Sequence, residues 1–208
     1  MDSKEDNLTD DLIAINKKID EKFKADCNEL PLMKWCEKFL NSNGIFVDVG
    51  AGIGSYSMIL AKICGHVFAF ESDKLFASVM VKNIHENNMS NITVYTVEKY
   101  KDCFNYNNIN GSQIQFLRFE HDDLEFFINI SKLLFDNNFP PFIVRITENK
   151  NIIDYIRALG YTVQCIYDFP GIFLADGNKR YIRQITIKNS DQDVSSSTQD
   201  TILEKHLI

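Results

Sequence analysis

Three glycines at two-residue intervals, Gly50, Gly52 and Gly54, follow an apolar run that carries a single acid, Ile45-Phe46-Val47-Asp48-Val49. A second apolar run, His66-Val67-Phe68-Ala69-Phe70, ends on Glu71. Residues of these types at this spacing suit the binding of a polar small ligand. Glycine lacks a Cβ and tolerates positive φ, so a strand can turn sharply into a helix while its main chain approaches a ligand. The helix that follows, from Ser55 to about Cys64, aims its unpaired N–H groups into the same crevice. A carboxylate about 20 residues beyond such a loop, at the next strand end, accepts hydrogen bonds from ribose hydroxyls.

The ligand class follows from charge. Dinucleotide enzymes use G-x-G-x-x-G, but here the sixth position is Ser55. Asp48, two residues before the first glycine, would repel a pyrophosphate. S-adenosylmethionine (SAM) carries an amino group and a sulfonium and has no phosphate, so an acid is welcome there. The loop and Glu71 together therefore point to SAM, with a plain tight turn and a solvated strand end as the simpler alternatives.

Positioning such a loop requires a parallel sheet. From Gly44 the chain alternates apolar strands and amphipathic helices. Strands are expected at 45–49, 66–70, 92–96, 114–119, 142–146, 162–167 and 181–188. Helices are expected near 55–64, 73–87, 122–137 and 149–159, the last closed by Gly160. The final two strands have no helix between them, only Asp168-Phe169-Pro170-Gly171 and the polar turn Asp176-Gly177-Asn178-Lys179, so they should pair antiparallel. The fold expected is α/β, Rossmann-like, with a mostly parallel seven-stranded sheet, an antiparallel last strand and helices on both faces. Ahead of it, Thr9 reads as an N-cap, and Leu12, Ile15, Ile19 and Phe23 as the apolar stripe of a helix. A second helix spans about Pro31 to Leu40, with Trp35 and Phe39 packing on the sheet. Residues 1–43 would be N-terminal helices, either a lid that could close over the pocket or ordinary core helices, 44–189 the SAM-binding domain, and 190–208 a disordered tail.

The run Phe46 to Ser57, then Val67 to Ser72, resembles class I SAM-dependent methyltransferases and, within them, the FkbM family. The segment Val81 to Val94, with its Asn-rich turn before the third strand, is similar to that family too. The resemblance covers roughly residues 44 to 170. It implies that Asp48, Gly50, Ala51, Gly52 and Gly54, with Tyr56 and Ser57, surround the methionine part of SAM. It implies that Glu71 holds the ribose and that Ser72 and Asp73 flank the adenosine. It further implies O-methylation of a sugar or other small molecule. The chain departs from the family after the fourth strand, where Arg118 stands at a Lys position and Asp123 at a Gly position, and after the fifth, where Arg145-Ile146-Thr147 replaces an acidic end.

Methyl transfer from a sulfonium requires a positioned acceptor and, for a hydroxyl, removal of its proton. The candidate bases follow the fourth strand: Glu120, His121 and Asp122. The unperturbed pKa of a histidine lies near neutrality, which suits His121 to the role, against the plainer reading of an exposed loop residue. Glu120 and Asp122 could instead hold a divalent metal, but paired acids at a helix start commonly just offset its dipole, and no metal site is assigned. Asn138-Phe139-Pro140-Pro141-Phe142 is similar to the Asn-Pro-Pro-aromatic box of amino-group methyltransferases, but Phe139 interrupts it, so it reads as a linker. Lys99, Tyr100 and Lys101 after the third strand could touch the adenine, but read more simply as solvated.

Composition narrows the classes. The 208 residues suit one α/β domain, and a net charge of −7 argues against a generic nucleic-acid binder. Five scattered cysteines without C-x-x-C spacing fit free thiols in a reducing compartment. Neither a signal peptide nor a membrane-length apolar run is visible, so a cytoplasmic protein is expected. Abundant Asn, Ile, Lys, Asp and Phe point to an AT-rich genome, such as that of a parasite or a large DNA virus. Three alternatives stand beside the small-molecule methyltransferase: a degenerate methyltransferase fold serving as a binding or scaffold subunit, an RNA cap or ribose methyltransferase, and a dinucleotide enzyme.

Overall fold

The computed structural model describes residues 3–100, 103, 114–120, 123–147 and 151–177. Seven strands form one sheet: β1 (Ile45–Val49), β2 (His66–Glu71), β3 (Ile92–Thr96), β4 (Ile114–Phe119), β5 (Phe142–Arg145), β6 (Thr162–Cys165) and β7 (Ile172–Asp176). Their spatial order is β3-β2-β1-β4-β5-β7-β6. The first five are parallel, and β7 runs antiparallel between β5 and β6. The chain passes from β1 to β2 on one side and later to β4 on the other, so β1 and β4 flank a topological switch point, where open α/β sheets bind ligands beyond the strand ends.

The helices are α1 (Ser3–Asn28), α2 (Leu30–Cys36), α3 (Ser55–Leu60), α4 (Lys74–Glu86), α5 (Leu124–Asp136) and α6 (Asn151–Ala158). Side-chain alternation sorts the strand residues between two faces. Val47, Val49, Phe68, Phe70, Leu117, Phe119, Phe142 and Val144 pack with Phe126, Phe127, Ile130 and Leu134 of α5 and Ile152 and Ile156 of α6. Phe46, Val67, Ala69, Phe116 and Ile143 pack on the opposite face with Leu32, Met33 and Cys36 of α2 and Tyr56 and Leu60 of α3. Phe39, in the 3₁₀ turn Glu37–Phe39 after α2, stacks on Phe116 at 4.5 Å, and Trp35 meets Phe39 edge-on at 5.1 Å. Fully buried Phe116 removes enough apolar surface to contribute about 2–3 kcal/mol. The same period of two puts Asp48, Glu71, Arg118 and Arg145 all on the α2–α3 face, next in register beyond its apolar residues.

Four expectations need correction. Ile172–Asp176 forms a strand where a connection was expected, and the strand expected at 181–188 lies outside the described residues. The apolar run Ile172-Phe173-Leu174-Ala175 supplies both neighbours of an inserted strand, pairing with β5 and β6 at once. Thr9 is no N-cap, because α1 already begins at Ser3. The helix after the glycine loop ends at Leu60, four residues early, in a run of turns. Finally, Phe23 and Ile15 of the expected apolar stripe of α1 are exposed, and the helix instead docks through a polar face. Gly160 does close α6 with φ of 99°, and Asp73 and Asp123 cap α4 and α5 by accepting backbone N–H bonds. The tail from 190 also lies outside the described residues, among which no helix is long and apolar enough to cross a membrane.

Candidate functional site

The turn after β1 folds back on the sheet. The Gly50 and Ala51 N–H groups both donate to the Phe70 carbonyl, at 2.9 and 3.0 Å, and Gly50, Gly52 and Gly54 have φ of 80°, 61° and 90°. Gly54 is the N-cap of α3, and a Cβ there would stand 2.6 Å from Met80 Cγ. Only glycine combines that left-handed backbone with that clearance.

Glu71 meets this loop directly. Its Oε2 accepts the Gly52 N–H at 2.6 Å, and its Oε1 accepts the Asp73 N–H at 2.7 Å and the Tyr100 hydroxyl at 3.3 Å. Ser72 Oγ donates to the Tyr100 oxygen at 3.0 Å. Tyr100 is therefore part of the site and not a solvated residue; burial pushes its hydroxyl pKa up to about 12, so it stays a neutral donor. Asp73, besides capping α4, pairs with Lys18 of α1, whose bond holds its carboxyl below the usual value.

Below the loop lies a chain of charges. Asp48 is fully buried; Ser57 Oγ donates to its Oδ2 at 2.7 Å and Arg118 Nη1 to its Oδ1 at 2.9 Å. Arg118 also donates to the Gly50 carbonyl at 3.2 Å and to Glu120 at 2.5 Å, with its guanidinium 4.2 Å from the centre of the Tyr56 ring. Arg145 bridges Glu120, at 2.5 Å, and Glu29, which also accepts the Tyr56 hydroxyl at 2.9 Å. Burial alone would raise the Glu120 pKa, but Arg118 and Arg145 outweigh it and hold the carboxyl below its usual value. Burial likewise opposes the charge on Arg118, and Glu120 and Asp48 restore it.

Of the expected cofactor residues, the structure brings Gly50, Ala51, Gly52, Gly54 and Glu71 together at the crevice, with Ser72 and Asp73 at its edge. Asp48, Tyr56 and Ser57 form its buried floor. Of the expected bases, Glu120 is engaged by two guanidiniums, and His121 and Asp122 lie outside the described residues. Arg118 was visible in sequence only as a departure from a pattern. The α1 residues Lys18, Lys22 and Asp26, and Glu29 just past its end, were not singled out at all, although a spacing of four and four places the first three on one helix face.

The donor set fits SAM. The loop turns its main chain through three left-handed glycines, Glu71 accepts from neutral donors among the described residues, and the nearby cations Lys18, Lys22, Arg118 and Arg145 are each paired with a carboxylate.

No protein-family model matches this sequence, and no curated protein matches it. Solved structures match its fold. An rRNA methylase from Streptococcus thermophilus aligns with a TM-score of 0.54 at 16% identity, covering 69% of this chain and 90% of that one. Precorrin 8W decarboxylase from Methanobacterium thermoautotrophicum aligns at 0.52 and 19%, covering 65% and 73%. TrmK from M. capricolum, in complex with S-adenosyl-homocysteine (SAH), aligns at 0.53 and 14%, covering 71% and 68%. The chain thus has the Rossmann-like methyltransferase fold.

Proposed function

We propose that this chain is a SAM-dependent methyltransferase whose acceptor is a hydroxyl of a sugar or other small molecule. The observation that carries the reading is the 2.6 Å bond between the Gly52 N–H and Glu71, which joins the two halves of the sequence signal in one crevice at the switch point of the sheet. The binding of SAH by a protein of the same fold supports the cofactor.

SAM, when bound, supplies an electrophilic methyl group on a sulfonium. The residues of this chain orient it and its acceptor. Glu71 takes the ribose hydroxyls, exchanging the Gly52 and Tyr100 donors for them. Ser72 and Asp73 border the adenosine. The Asp48–Arg118–Glu120 chain fixes the loop beneath the methionine part. Glu120, held ionised by two guanidiniums, is a poor proton acceptor and serves as an organiser. His121, the next residue, takes the acceptor proton. An rRNA methylase shares the fold, so the fold itself does not exclude an RNA acceptor. The net charge of −7 favours a small molecule.

The test is calorimetric titration of the full chain with SAM and SAH, with NAD as the control. Micromolar binding of the first two and none of NAD is expected. Binding of NAD in preference to SAH overturns the reading in favour of a dinucleotide enzyme. Binding of neither leaves a degenerate scaffold. Screening sugars, other alcohols and short RNAs for methyl incorporation then settles the acceptor class.

A further inference from the structure

We infer that Lys22, carried by α1, is the cation that recognises the carboxylate of the ligand's amino-acid end, with Asp26 as its internal counter-ion until that carboxylate arrives. The inference rests on the SAM reading above and deepens it.

The polar face of α1, continued by Glu29 in the turn that follows it, lies across the crevice from the α4 end to the β5 end. Lys18 pairs with Asp73 at the α4 end, Ser55 Oγ of the loop donates to Asp26 at 2.6 Å, and Glu29 reaches Tyr56 and Arg145 at the β5 end. Between them Lys22 lies directly on the glycine loop. A Cβ built on Gly52 would stand 2.5 Å from Lys22 Cε and 3.4 Å from its Nζ. The ammonium therefore sits over the main chain that the ligand must approach.

The other cations at the crevice are committed elsewhere. Arg118 is buried against Asp48 and Glu120, Arg145 bridges Glu120 and Glu29, and Lys18 holds Asp73 with its ammonium 4.8 Å from the Phe76 ring centre. Among the described residues Lys22 pairs with one carboxylate, Asp26, at 2.9 Å. Asp26 itself is buried and keeps the Ser55 hydroxyl when Lys22 turns away. Exchange of Asp26 for a ligand carboxylate is thus an exchange of like for like, and it needs only rotation about the flexible lysine stem. The bond patterns also match the ligand's polarity. Glu71 meets neutral donors and is available to hydroxyls, whereas Lys22 supplies positive charge at the glycine end.

The experiment compares SAM with decarboxylated SAM, which differ only in this carboxylate, by calorimetry on the wild type, Lys22→Gln and Lys22→Arg. The glutamine amide can still donate to Asp26, so the variant keeps that buried acid satisfied. The wild type should prefer SAM. Lys22→Gln should lose about 10- to 100-fold in affinity for SAM while its affinity for decarboxylated SAM stays within about twofold, and Lys22→Arg should retain most of the preference. Equal loss for both ligands, or no loss for either, overturns the assignment, and binding of decarboxylated SAM shows that the crevice is folded. Failure of the wild type to bind either ligand overturns the SAM reading itself, and this inference with it.

Discussion

Arg118 and Asp48 stand opposite each other across β4 and β1 and form an ion pair of 2.9 Å in which neither side chain reaches solvent. The pair links the strand that carries the glycine loop to the strand that leads to Glu120. A pair of this kind is costly to break from one side, because the remaining charge is left buried. Arg118→Met is expected to lower unfolding free energy by about 3–5 kcal/mol, measured by urea denaturation. Adding Asp48→Asn to it should cost less than the sum of the two single changes. Additive losses would mean that the two residues act independently.

Glu120 links stability to pH. Its folded pKa is depressed by Arg118 and Arg145 against the opposing effect of burial. A depressed carboxyl contributes stability that is fully present above its unfolded value and lost as pH falls through the folded one. Unfolding free energy should therefore decline from about pH 4.5 downward, and Glu120→Gln should flatten that part of the profile. An unchanged acid limb in the variant would remove Glu120 from the account.

Glu71 and Tyr100 should differ in their effect on binding. Glu71→Gln removes the charge that favours ribose hydroxyls and is expected to weaken SAH by about tenfold or more. Tyr100→Phe removes one neutral bond of 3.3 Å and should cost no more than a few-fold. Calorimetry on both variants checks the order, and a larger effect at Tyr100 would place the ligand on the other side of the carboxylate.

The glycine loop, both acids at the strand ends and six of the strands were legible because each is a local pattern: alternation, a Cβ-free turn, a cap. The seventh strand was not, since Ile172 to Asp176 is short and follows a Pro-Gly turn that reads equally as a connection. The Asp48–Arg118 pair depends on register between segments 70 residues apart, which no local spacing encodes. The docking face of α1 was hidden for a different reason. Its apolar residues, Ile15 and Phe23, suggested burial, but the crevice is itself polar and selects Lys22 and Asp26, with Glu29 just past the helix end. A helix that covers a charged site reverses the usual rule of which stripe turns inward.

The cysteines give an independent check on the packing. Cys27 and Cys165 are exposed, while Cys36, Cys64 and Cys103 are buried. Burial also raises the Cys64 pKa to about 11 and that of Cys36 further, which suppresses their thiolates. Titration of the native protein with a chromogenic disulfide should show two fast thiols, rising to five in denaturant. A third fast thiol in the native state would mean that the packing around Cys36, Cys64 or Cys103 is open.

The loop glycines separate stability from binding. A methyl group at Gly54 meets Met80 Cγ at 2.6 Å, and Met80 is fully buried, so the core itself must shift on top of the strain of φ at 90°. Gly54→Ala is expected to lower stability by about 2–3 kcal/mol. A methyl group at Gly52 meets the end of the flexible Lys22 side chain, which can move aside. Gly52→Ala should cost only the backbone term, about 1–2 kcal/mol, but it fills the space over which ligand and lysine meet. Thermal unfolding with SAH titration on the two variants reads both quantities. Gly54→Ala should lose more in stability, and Gly52→Ala should lose at least tenfold in SAH affinity while remaining folded. Retention of full SAH affinity by Gly52→Ala would show that the ligand does not approach the main chain at this turn.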